Sequence, residues 1–149
     1  MPTDAPLRVL VVDGDSLLCW ALRETLVAAG MVVSHAESFS AAIQAVMSDP
    51  GGLDVMLLEY ALPDPRGLAH LRTLKRLVPT LPVVVMSAFW TRERADQALE
   101  AGADRLVGKP LEMHAAAELV REATGRSRSR PSVMPPVPSQ EPVTWPSRR

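Results

Sequence analysis

The sequence predicts an α/β domain: a doubly wound, five-stranded parallel sheet covered on both faces by five helices, followed by a disordered C-terminal tail. Three observations predict it. Short runs such as LRVLVV at 7–12 and VMLLE at 55–59 are apolar at nearly every position, the pattern of strands buried on both faces. Segments of roughly 10–15 residues with helical spacing separate those runs, which calls for parallel strands joined by right-handed crossovers. After Gly125 the text changes to a stretch with six prolines and no apolar periodicity, unable to build a core or a sixth strand.

Each element follows from local chemistry. The run at 7–12 ends in Asp-Gly-Asp-Ser, a strand passing into a turn. Asp15 or Ser16 can cap the first helix, in which Leu18, Leu22, Leu26 and Ala29 recur at helical spacing until Gly30 stops it. A second strand at 31–36 and a helix near 38–48 follow, and Pro50-Gly51-Gly52 breaks the chain before the strand at 55–59. The alternation continues through a helix at 66–77, a strand at 82–86, a helix at 91–101, a strand at 105–108 and a helix at 112–124. The domain therefore spans 7–124, with an N-terminal extension at 1–6 and the tail at 125–149.

Composition narrows the function. At 149 residues, 47% hydrophobic and 22% charged, one core is expected. The net charge of -1 conceals an asymmetry, because five Arg and one Glu fall in 125–149 and leave 11 basic against 16 acidic residues in 1–124. An acidic body repels nucleic acid, so direct DNA contact by the core is not expected. The N-terminus lacks an apolar leader and no run approaches the roughly 20 apolar residues of a membrane span. A cytoplasmic protein without membrane contact is expected. The lone Cys19 excludes an internal disulfide and suits a buried position in LLCWAL. His35, His70 and His114 show no metal-type spacing.

In open α/β sheets the functional crevice lies beyond the carboxyl ends of the strands. Those ends carry Asp13-Gly14-Asp15, Glu59, Ser87-Ala88 and Lys109-Pro110. Singly, Asp15 reads as a helix cap, Ser87 as a turn residue and Lys109 as a solvated charge. Together, polar residues at four strand ends form a constellation.

Through VLVVDGD, LDVMLLEYALPDPRG, LPVVVMSA and AGADRLVGKPL, the chain resembles the receiver domains of bacterial response regulators over roughly residues 7–124. The resemblance implies a flavodoxin-like sheet of order 2-1-3-4-5, a phosphoacceptor aspartate at the end of the third strand, and a Mg²⁺ site built from it and an acidic pair after the first strand. It also implies that Ser87 and Lys109 read the phosphoryl group, and that the turn at Lys109-Pro110 is cis or strained.

Three positions depart from that pattern. Glu59 stands at the acceptor position, its extra methylene carrying the carboxylate about 1.5 Å further out. Gly14 replaces one metal ligand, leaving Asp13 and Glu59 as the remaining candidates, so Mg²⁺ affinity is expected to be weak or lost. Leu106 occupies the place of the family's switch aromatic. No cofactor and no enzymatic activity are expected. Glu59 supplies one charge and two oxygens where a phosphoryl group supplies about two charges and three oxygens.

These departures lead to a stand-alone, phosphorylation-independent receiver that binds a protein partner, a histidine kinase or a downstream effector, through the face of its fourth helix, fifth strand and fifth helix. Phe89 and Trp90, adjacent aromatics after the fourth strand, are candidate contacts, against the alternative that one of them packs in the core. A Mg²⁺-dependent receiver still phosphorylated by a histidine kinase is the first alternative. A small-molecule-binding flavodoxin-like domain is the second, disfavoured because no Gly-rich phosphate loop follows the first strand. The proline-rich tail reads as a solvated linker, or as a polyproline segment for an aromatic groove. A homodimer stays open.

Overall fold

The computed structural model describes residues 5–62 and 67–125. The tail, most of the N-terminal extension and the expected start of the third helix at Arg66 lie outside the described residues. The elements run β1 (Arg8–Val12), α1 (Ser16–Ala28), β2 (Val32–Ala36), α2 (Phe39–Ser48), β3 (Val55–Glu59), α3 (Leu68–Leu77), β4 (Val83–Ser87), α4 (Arg92–Ala101), β5 (Arg105–Gly108) and α5 (Met113–Thr124). All strand pairs are parallel and the sheet order is β2-β1-β3-β4-β5, as the resemblance implies.

The sequence writes the two faces of this sheet with a period of two. Val9 and Val11 of β1, Val55 and Leu57 of β3, and Val84 and Met86 of β4 pack toward Leu22 and Leu26 of α1 and Ala116 and Val120 of α5. The alternate residues Leu10 and Val12, Met56 and Leu58, and Val83 and Val85 pack toward Phe39 and Val46 of α2, Leu71 and Leu74 of α3, and Ala95 and Ala98 of α4. Both faces are apolar because both are covered. The edge strands β2 and β5 are less buried, as strands with one neighbour should be.

Boundaries follow from capping. Asp15 accepts hydrogen bonds from the amides of Leu17 and Leu18, Ser38 from Ala41 and Thr91 from Arg94, so each satisfies amides the first turn leaves free. The fourth strand runs Val83–Ser87, one residue later at each end than expected, and so includes Ser87. α4 ends at Gly102 with φ 116°, a left-handed position, where a β-carbon would also lie 2.6 Å from Cγ of Lys75. No helix among the described residues is long and apolar enough to cross a membrane.

The depth of the central strands sets the cost of altering them. Leu57→Ala, at a fully buried position of β3, is expected to lower unfolding stability by about 2–5 kcal/mol. Leu17→Ala, on the exposed side of α1, should change it by less than about 0.5 kcal/mol in the same urea titration.

Candidate functional site

Parallel pairing puts the carboxyl ends of β1, β3, β4 and β5 side by side, with Val12 opposite Leu58, Glu59 opposite Met86 and Ser87 opposite Gly108. Asp13, one residue past β1, is 3% exposed and Ser87 is equally buried. Burial of polar groups this deep requires partners. Asp13 has them: Oδ1 accepts from the amide of Asp15 at 2.9 Å and Oδ2 from Nζ of Lys109 at 2.8 Å. Its carbonyl accepts from Nε2 of His35 at 3.0 Å and from Sγ of Cys19 at 3.4 Å.

Lys109 reaches both acids. Its ammonium ion-pairs with Asp13 and makes a short contact with Oε1 of Glu59, whose Oε2 accepts from the amide of Ala61 at 2.8 Å. The lysine backbone is held by β4, its amide donating to the carbonyl of Ser87 at 2.9 Å, and the Lys109-Pro110 peptide is cis. Ser87 closes a turn of its own, Oγ accepting from the amide of Phe89 at 3.1 Å and standing 3.2 Å from its carbonyl. An open cavity of about 380 Å³ sits over these groups, lined among others by Asp13, Gly14, Glu59, Ser87, Phe89 and Arg94.

Thus Asp13, Glu59 and Lys109 meet directly, and Ser87 borders the same cavity. Asp15 is engaged as the cap of α1 by bonds to Leu17 and Leu18, which leaves it outside the ion-paired group. Gly14 contributes no side chain, although a β-carbon there would meet no heavy atom within 4 Å. Leu106 is buried in the core shared with α4. One expectation is corrected: Trp90 is 1% exposed and donates its indole N–H to the carbonyl of Val107 at 2.8 Å, so it is a core residue, not a partner contact. Phe89 remains 44% exposed.

Sequence reasoning missed Tyr60 and Arg94. The guanidinium of Arg94 lies 5.3 Å from the Tyr60 ring and 5.2 Å from the Phe89 ring and donates to the carbonyl of Phe89 at 3.2 Å. In the sequence, Arg92-Glu93-Arg94 looks like any solvated helix start, and the one signal was the i+3 spacing of Arg94 from Thr91 at the end of the loop after the fourth strand.

The resemblance implies Mg²⁺ in this crevice, and the donor set there is short of oxygens. Asp13 and Glu59 both face Lys109, Gly14 adds no oxygen, and among the described residues no group of three or more His, Cys, Asp or Glu is arranged to hold a metal ion. Octahedral Mg²⁺ does not fit this arrangement.

The electrostatics agree with a paired lysine. Burial alone would lower the Lys109 pKa, but hydrogen bonds to Asp13 and Glu59, with the charges of both, outweigh it and raise the group above its ordinary 10.5. Beneath it, burial and then the charges of Asp13 and Asp15 push the Cys19 thiol up to about 11, against the opposing effect of Lys109.

The family model for the response regulator receiver domain matches residues 9–121. The chain is 34% identical over 115 residues to the DNA-binding transcriptional regulator NtrC of Escherichia coli K12, covering 77% of this chain and 24% of that protein. It is 35% identical over 129 residues to the transcriptional regulatory protein KdpE of Mycobacterium tuberculosis H37Rv, covering 87% of this chain and 56% of that one. Among solved structures, a two-component response regulator from Clostridium difficile superposes with a TM-score of 0.74 at 26% identity, over 83% of this chain and 99% of that one. The chain thus spans about a quarter to about half of the curated relatives it matches.

Two outcomes follow from the geometry. A raised folded-state pKa means that the stabilisation carried by Lys109 is whole below its ordinary 10.5 and is lost as pH rises through the folded value. Lys109→Met should therefore lower stability at neutral pH by about 2–3 kcal/mol, by leaving two acids unpaired, and its deficit relative to the native chain should shrink in denaturation curves taken above that pH. Cys19 in the folded chain should be alkylated far more slowly at about pH 8 than in the urea-unfolded chain, as read by intact mass.

Proposed function

The chain belongs to the family of response regulator receiver domains, and on that premise we propose that it serves two-component signalling as a phosphorylation-independent, protein-binding receiver with Glu59 at the acceptor position. It acts as a binding module and not as an enzyme. The observation that carries this is the Glu59 carboxylate, one oxygen of which is on Lys109 and the other on the amide of Ala61. Phosphoryl transfer needs an acceptor oxygen free for in-line attack and a metal to neutralise the charge that develops. Here the acceptor is engaged, and the glycine at 14 removes an acid from the metal set.

A permanent carboxylate on Lys109 supplies part of the contact a phosphoryl group would make, with one charge instead of about two. The site then holds one arrangement without a chemical cycle. The partner, a histidine kinase or a downstream effector, meets the face of α4, β5 and α5. That face carries Leu99, 44% exposed on α4, and an ion pair between Arg105 of β5 and Glu122 of α5 at 3.7 Å, which ties its two later elements together. Large exposed apolar side chains on an otherwise polar helix are what partner surfaces use.

The test is incubation of the full chain with Mg²⁺ and a small acyl phosphate, followed by intact mass. The native chain should gain no phosphoryl group, whereas the Gly14→Asp, Glu59→Asp double variant, whose new aspartate at 14 has room, should gain one. A phosphorylated native chain would sink this proposal.

A further inference from the structure

Glu59 does more than meet Lys109. By accepting from the amide of Ala61, its second oxygen closes a ring over the intervening residue, Tyr60, and so fixes the backbone from which the tyrosine ring projects. The amide of Tyr60 is anchored as well, donating to the carbonyl of Met86 at 2.8 Å. The tyrosine ring stands edge-on to Trp90, centroids 5.4 Å apart at 68°, the arrangement that the quadrupoles of two rings favour. Arg94, in the first turn of α4, lies over the same tyrosine and over Phe89.

The fully buried indole of Trp90 in turn spans to β5 through its bond to the carbonyl of Val107, two residues before Lys109. The path from the Glu59 carboxylate to α4 is therefore short and continuous. It runs through Tyr60 to Arg94 on one side and to Trp90 on the other, and it uses neither the Ser87 hydroxyl nor the Leu106 side chain.

We propose that Tyr60 is a positioning residue that carries the placement of the Glu59 carboxylate to α4, with Arg94 and Trp90 as the groups that read its ring. This deepens the proposed function and rests on it in one respect, that the α4 face is the surface presented to a partner. In this chain the acceptor-position side chain acts mechanically on its own neighbour. The glutamate is long enough to hold Lys109 with one oxygen and the 59–61 turn with the other.

The experiment is a double-variant cycle in the full chain with Trp90 as the sole tryptophan, made by Trp20→Phe and Trp145→Phe. Glu59→Ala, Arg94→Ala and the pair are compared by amide hydrogen exchange in α4 and α1 and by Trp90 emission. Each single variant should speed exchange of the Ala95 to Ala98 amides by about tenfold, within the range that coupled neighbours show, and shift Trp90 emission to the red. The pair should do no more than either alone, and α1 should be unchanged, which shows that the fold is intact. Arg94→Lys, which keeps a cation over the rings, should restore most of the protection.

Effects of Glu59→Ala and Arg94→Ala that simply add would overturn the coupling. So would unchanged α4 exchange in Glu59→Ala with α1 protected. Should Glu59→Ala loosen α1 too, the Glu59→Gln chain, which keeps an acceptor for the Ala61 amide, replaces it: protected α4 in Glu59→Gln supports the route through the turn, and loosened α4 overturns it. Because exchange is read on protein never exposed to a phosphodonor, its outcome is separate from that of the labelling test.

Discussion

The ammonium of Lys109 sits between the carboxylates of Asp13 and Glu59, drawing the ends of β5, β1 and β3 onto one point. Asp13 is almost wholly buried, and two acids this close to each other are tolerated only because a cation lies between them. Around that contact the remaining polar groups fall into place. The amide of Asp15 and the carbonyl-directed bonds of His35 and Cys19 hold the Asp13 loop, while the amide of Lys109 ties β5 to Ser87 on β4. The apolar sheet positions the strands, and this ion-paired group decides how their ends are closed.

The departures from the receiver pattern act at different depths. Gly14 subtracts an oxygen and leaves room. Glu59 lengthens a side chain and divides its two oxygens between a lysine and a backbone amide. Leu106 is accompanied by Trp90, whose indole is buried in the same core and bonded to β5, so the region beneath the β4–α4 loop is filled by a residue of the loop itself. A filled core at native density resists rearrangement more than one with a mobile ring at its surface. The glycine at 14, the Glu59 carboxylate bonded to Lys109 and the buried Trp90 are mutually consistent with the proposed domain of one arrangement.

Much of the fold was legible because burial on both faces leaves a direct trace in residue type. LRVLVV and VMLLE read as central strands of a covered sheet, and Asp15 as a cap that starts the first helix, a role it has in the structure. The strand-end positions of Asp13, Glu59, Ser87 and Lys109 were likewise readable, since a parallel sheet brings its carboxyl ends to one edge. Which of these groups touch was not readable. Asp15 and Asp13 are both acids of one loop, yet the first caps α1 and the second pairs with Lys109, a choice set by helix entry geometry. Phe89 and Trp90 are adjacent aromatics, yet one is exposed and the other buried, its indole bonded to the carbonyl of Val107 on β5. Sequence by itself determined the layers and the strand ends, consequences of local periodicity and composition, and marked the replaced residues only through the resemblance to receiver domains. Only the tertiary structure decided the partners of each charge and the stacking of Arg94 on Tyr60, since these depend on distances between segments far apart in the chain.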